Sequence, residues 1–136
     1  MFPKKISFRF SDPGFINIMR KTAEQLATAM GFDENRIFDI SLLIEEACIN
    51  AIEHGSKPDK KPIVMITFYV YKDSLEMHIQ DSGCGFKPSK NTMETALKTI
   101  DSTRGRGLGL MQSLSDDFEL SSTPGAGTKV KLIKYR

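Results

Sequence analysis

The stretch from Ile37 to Gly55, IFDISLLIEEACINAIEHG, leaves this chain the fewest options. Ile37, Ile40, Leu43, Ile44, Ala47, Cys48, Ala51 and Ile52 recur at three- and four-residue spacing. That period predicts a long helix with one side pressed onto a core. Asp33 is its candidate N-cap, without the acidic partner of a capping box, and Gly55 is a natural stop. Glu46, Asn50, Glu53 and His54 fall at i, i+4, i+7 and i+8 and share a different face. A carboxylate, a carboxamide and an imidazole on one stripe of an apolar helix suit the floor of a polar pocket.

The rest of the chain supplies elements for that helix to pack on. Lys5–Phe10 alternates, with Ile6, Phe8 and Phe10 expected on a buried face. Asp12 and Pro13 open a first helix over about Pro13–Met30, marked by Phe15, Ile16, Met19, Ala23, Leu26, Ala27 and Met30 and stopped by Gly31. Arg20, Lys21 and Glu24 on it form either a solvated face or a partner surface. Ile63–Tyr71 and Ser74–Gln80 read as a hairpin turned at Lys72-Asp73. Leu108–Leu114 suits a helix. Phe118–Ser122 and Thr128–Lys134 suit strands joined by a turn at Thr123–Gly127. Between them, residues 87–104 lack a strong period, with a short helix possible near Met93–Ile100, and such a long connector suits a lid. The order β-α-α-β-β-lid-α-β-β predicts an α+β fold: a two-layer α/β sandwich in one domain over residues 1–136.

Composition narrows the function classes. A net charge of +2 gives no electrostatic argument for nucleic acid or a membrane surface. No run approaches the ~18 apolar residues of a membrane span. MFPKKISFRF lacks the apolar core of a secretory signal, so a cytoplasmic protein is expected. The two cysteines, Cys48 and Cys84, have no metal-ligand spacing and are expected as free thiols, a disulfide between them being the alternative.

Three pieces carry chemistry. Asp81-Ser-Gly-Cys-Gly85 ends a strand. Its glycines allow close backbone approach to a ligand, and a half-buried Asp81 carboxylate requires a donor, such as an exocyclic amine. A plain Asx turn is the alternative. Gly105-Arg-Gly-Leu-Gly109 enters a helix, where free N–H groups form an anion site that Arg104 and Arg106 would reinforce. A flexible glycine linker is the alternative. On the long helix, Asn50 can offer an oxygen to a hard cation such as Mg²⁺. Glu46, one turn earlier, can accept a proton from a hydroxyl or water. Glu45 and Glu53 read as solvated charges and His54 as a group favoured by the helix dipole.

Together these motifs resemble a known family. EEACINAIEHG resembles the N box of the GHKL ATP-binding superfamily, DSGCGF its G1 box, RGRGLGLM its G2 box and PGAGTKV its final glycine-threonine box. Order and spacing match over nearly the whole chain. Within the superfamily the chain is similar to the anti-sigma-factor serine/threonine kinases of bacterial partner-switching systems.

The resemblance implies a Bergerat fold, with a mixed, mainly antiparallel sheet covered on one face by helices and an ATP lid at about residues 86–106. It implies ATP or ADP as ligand and Mg²⁺ held through Asn50. Glu46 would be the base. Asp81 would read the adenine amino group, with Gly83 and Gly85 making room. Gly105, Gly107, Leu108 and Gly109 would wrap the phosphates beside Arg104 and Arg106, and Thr128 would lie near the adenine. The implied substrate is an anti-sigma-factor antagonist, a STAS-domain protein. The implied opposite partner is a sigma factor bound by a kinase homodimer. Two other classes remain at this stage: a non-catalytic, nucleotide-switched binding module and a histidine-kinase-like ATPase. A base one turn before the metal ligand favours the kinase over a pure binder.

Overall fold

The computed structural model describes residues 2–55, 61–82, 106–123 and 125–136. Strand β1 (Lys4–Phe10) leads through a 3₁₀ turn (Pro13–Phe15) into α1 (Ile16–Met30). Then come α2 (Glu34–Gly55), β2 (Val64–Val70), β3 (Ser74–Asp81), α3 (Arg106–Leu114), β4 (Asp117–Thr123) and β5 (Gly127–Tyr135). The strands form one sheet in the order β1-β2-β3-β5-β4. All four pairings are antiparallel, so no mixed pairing occurs among the described strands. The expected hairpin pairs Val64 with Asp81 and Val70 with Leu75.

Alternation decides which sheet face is dry. Val64, Ile66 and Phe68, then Leu75, Met77 and Ile79, then Val130 and Leu132, are buried against the helices. Ile40, Leu43, Ile44, Ala47, Cys48 and Ala51 of α2 complete that core. The opposite face is a polar ladder: Lys131 lies 3.7 Å from Glu76 and 3.8 Å from Glu119, and the Tyr69 and His78 rings are 4.6 Å apart. An antiparallel sheet tolerates this one-sided arrangement.

The local signals behave as their chemistry requires. An Asp12 carboxylate oxygen accepts the Gly14 N–H at 2.8 Å, and Asp33 accepts the Arg36 N–H at 2.8 Å, capping α2. Gly31 ends α1 at φ 88°. Two expectations fail. Ile6 is 42% exposed, because β1 is an edge strand and only its Phe10 end is buried among the core residues. Phe15 is 47% exposed, because it sits in the 3₁₀ turn and leaves the apolar stripe of α1, with its ring 6.4 Å from Phe10 instead.

A buried cation joins the far ends of three elements. Lys134 of β5 is 4% exposed, and its ammonium donates to the Leu114 carbonyl at the end of α3 at 2.8 Å. It also lies 3.4 Å from Asp39 of α2 and 3.9 Å from Asp116. The last turn of α3 is thereby tied to the first turns of α2 and to β5.

Cys48 is a free thiol on the buried side of α2; Cys84 lies outside the described residues. Burial raises the Cys48 thiol pKa from 9.0 to about 12. Unfolding lowers that pKa, so the stability favouring the protonated native thiol is present below pH 9 and is lost between pH 9 and about 12. In a Cys84→Ser background, Cys48 should resist Ellman's reagent at pH 8 until denaturant unfolds the chain. Rapid native labelling would contradict the burial.

Candidate functional site

Two of the three chemical pieces meet at the end of β3, and the third begins a helix packed on α2. Asp81 is the last residue of that strand and is 5% exposed. Its Oδ1 accepts the backbone N–H of Thr128, the second residue of β5, at 3.1 Å. A buried carboxylate needs such donors to offset lost hydration. Thr128 is 3% exposed, and its Oγ1 lies 2.9 Å from the Ser122 hydroxyl, which also donates to the Gly127 carbonyl at 3.3 Å. Beyond Asp81, the Ser82 hydroxyl accepts the Ile63 N–H at 3.0 Å and holds the mouth of the hairpin.

Helix α2 reaches the same place from the other layer. A side chain at Gly55, its last residue, would come within 3.5 Å of the Asp81 Cβ and 3.3 Å of the Pro62 Cβ. Asn50 is 7% exposed and lies five residues, about 7.5 Å along the axis, before Gly55. Glu46 is half-buried one turn earlier, while Glu53 and His54 are exposed. The predicted polar stripe therefore divides: Asn50 and Glu46 are withdrawn from bulk water, and the last two residues are surface groups.

Helix α3 packs on α2 through a segment in which Leu108 and Gly109 are buried. It begins at Arg106, two residues before the expected start. Arg106 and Gly107 thus form its first turn, where backbone N–H groups lack intrahelical partners and suit an anion. Gly83, Gly85, Arg104 and Gly105 lie outside the described residues, as do residues 86–105 of the expected lid. No cluster of three His, Cys, Asp or Glu side chains exists among the described residues. A Mg²⁺ ion here would rely on the Asn50 oxygen, phosphate oxygens and water, a donor set that suits this hard cation. A cavity of about 470 Å³ opens elsewhere, against Phe2, Ile6, Met30 and Val70, and shares no residue with the site.

Gly127, inside PGAGTKV, carries a structural demand that the motif does not state. Its φ is 93°, and a Cβ there would fall 2.3 Å from the Asp81 carbonyl oxygen. Only a bare α-carbon lets β5 start this close to the end of β3. The glycine between turn and strand was visible in GAGT. The need for it was not, because the neighbour lies 46 residues away.

Comparison with known proteins identifies the class. Residues 11–134 match the model of the histidine kinase-like ATPase domain. This chain belongs to that family, a GHKL-type ATP-binding fold. Among curated proteins it is 33% identical to the serine-protein kinase RsbW of Bacillus subtilis, covering 92% of this chain and 81% of that protein. It is 31% identical to the protein of the same name from Bacillus velezensis, with the same coverage. Among solved structures, the nucleotide-free catalytic domain of the histidine kinase ThkA superposes with a TM-score of 0.59 at 14% identity, over 96% of this chain and 95% of that one. That likeness supports the fold alone.

Gly127→Ala should lower stability by about 2–4 kcal/mol through left-handed strain and the clash with the Asp81 carbonyl. Urea unfolding measures it. A loss below half a unit would show that the β3–β5 junction can relax around a side chain.

Proposed function

We propose that this chain is a Mg-ATP-dependent protein serine/threonine kinase that phosphorylates a STAS-domain anti-sigma-factor antagonist and, in its other state, sequesters a sigma factor as a homodimer. The observation that carries the reading is the convergence at Asp81. A buried carboxylate, oriented by the Thr128 N–H, sits where the helix bearing Glu46 and Asn50 ends. The serine-protein kinase names of relatives matched over most of this chain support the activity.

In this reading the Asp81 carboxylate accepts the adenine amino group. Gly83 and Gly85 leave room for the base, and Thr128 borders it. The first turn of α3, with Gly105, Gly107, Leu108 and Gly109, receives the phosphates beside Arg104 and Arg106. Asn50 would hold Mg²⁺, which would supply neutralisation of phosphate charge. Catalysis of this kind is mainly positioning and charge stabilisation. The hydroxyl oxygen of the substrate serine or threonine bonds to the γ-phosphorus. The bond from that phosphorus to the β–γ bridging oxygen breaks, and ADP leaves. The hydroxyl proton passes to the Glu46 carboxylate. Asn50 is buried at the base of the same stripe, so it orients the phosphates while Glu46 stays within reach of a protein substrate. No helix among the described residues is long and apolar enough to cross a membrane.

Glu46→Gln should keep Mg-ATP binding and lose phosphotransfer by roughly 10²–10⁴-fold, the usual contribution of a general base. Transfer of labelled γ-phosphate at the parent rate would reject the base. Asn50→Ala should weaken ATP binding by at least about tenfold, ~1.4 kcal/mol, in Mg²⁺ but much less in EDTA. Calorimetry giving one affinity for both proteins in both buffers would remove Asn50 as the metal ligand.

A further inference from the structure

Helix α2 has a second apolar face, turned away from the sheet. Phe38, Leu42, Glu45 and Ile49 recur at steps of four, three and four, and Ile52, one step further on, packs partly against the core. That is the spacing of one side of a two-helix seam. Phe38 is 63% exposed and Ile49 36%, while Leu42, Glu45 and Ile52 are half-buried. The neighbouring helices flank this line without covering it. On one side Ser41 donates to Glu24 of α1 at 2.7 Å. On the other, Asp39 meets Lys134, and Arg36 meets Asp116 at 3.3 Å. From Phe38 to Ile49 the seam runs about 16 Å, three turns.

Charge and position indicate what fits there. The acids on the outer half of α2 are Glu34, Glu45, Glu46 and Glu53. Arg36, the one arginine or lysine of α2, is engaged with Asp33, Asp116 and the Tyr135 carbonyl. Arg20 of α1 pairs with Asn17 at 2.8 Å and lies 3.9 Å from Glu24. The seam is therefore apolar with acidic margins and a carboxylate at its centre. A carboxylate covered by a partner needs a cation opposite it, and one polar seam position sets register. Glu46 stands three residues before Ile49, about 60° around the helix. A helix laid in the seam would bring its protein alongside the candidate base.

We propose that this seam is the docking surface for the protein that accepts the phosphoryl group, engaged through an amphipathic helix with apolar residues at matching steps and a Lys or Arg facing Glu45. The inference rests on the kinase reading above, and its test separates the two. The probe is the unphosphorylated STAS-domain antagonist from the same genome as this chain. The full chain carries either Phe38→Ala with Ile49→Ala, or Glu45→Lys alone in case the double variant fails to fold. Both variants should bind ATP like the parent and keep kcat within about twofold, while KM for the antagonist rises at least about tenfold. An unchanged KM would overturn the docking surface and leave the kinase standing. If the parent binds ATP but transfers no phosphate, the kinase reading falls, and calorimetric titration of the antagonist decides the seam. Binding about tenfold weaker to the variants upholds the surface, and equal binding removes it. Sedimentation in which the substitutions dissociate a homodimer, with antagonist binding intact, would assign the seam to a second copy and overturn the proposal.

Discussion

Helix α2 has to be apolar enough to hold the two layers together and polar enough to floor the proposed ligand site. Its inner side supplies Ile40, Leu43, Ile44, Ala47, Cys48 and Ala51 to the core. Burial of each large aliphatic side chain there is worth about 1.5–3 kcal/mol. The same burial fixes the rotation of the helix about its axis, and so aims Glu46 and Asn50. A register shift would expose the core and misdirect the site at once. The sheet answers this constraint by being dry on one side only, with the Glu76–Lys131–Glu119 ladder facing outward.

The second support is the clamp at the opposite end. Lys134 joins the carbonyl end of α3 to the first turns of α2 through Asp39. Such an ion is costly to bury unless every neighbour is well placed. The arrangement fixes one end of α3, so its first turn, where the phosphates are proposed to bind, projects from an anchored base. Asp81 plays the corresponding part on the other side, where β3, β5 and α2 meet.

Much of this was legible in the chain itself. Period, with the caps and glycine stops, locates α2 and all five strands to within a residue or two and α1 to within three, since each is long and clearly two- or three-to-four-fold in pattern. The caps at Asp12 and Asp33 were likewise visible as residue types before apolar runs. Ile6 and Phe15 were misread because alternation and helical spacing say nothing about which strand is an edge or where a helix tightens to 3₁₀. In the site, Asp81, Asn50 and Glu46 stood out as polar groups in apolar settings. Gly127 did not, and neither did the outward seam of α2. Both are defined by what lies opposite them in space.

The close approach at Gly127 bears on how relatives of this chain can be interpreted. The bare α-carbon there is demanded by the Asp81 carbonyl, whatever the site binds. A descendant that had abandoned phosphoryl transfer and kept only the fold would still need glycine at that position. The same descendant would be released from any catalytic demand on Glu46, a half-buried helix residue. Glycine at 127 is thus a requirement of architecture, and if Glu46 is the base proposed above, the identity of residue 46 is the better indicator of whether a given relative still works as a catalyst.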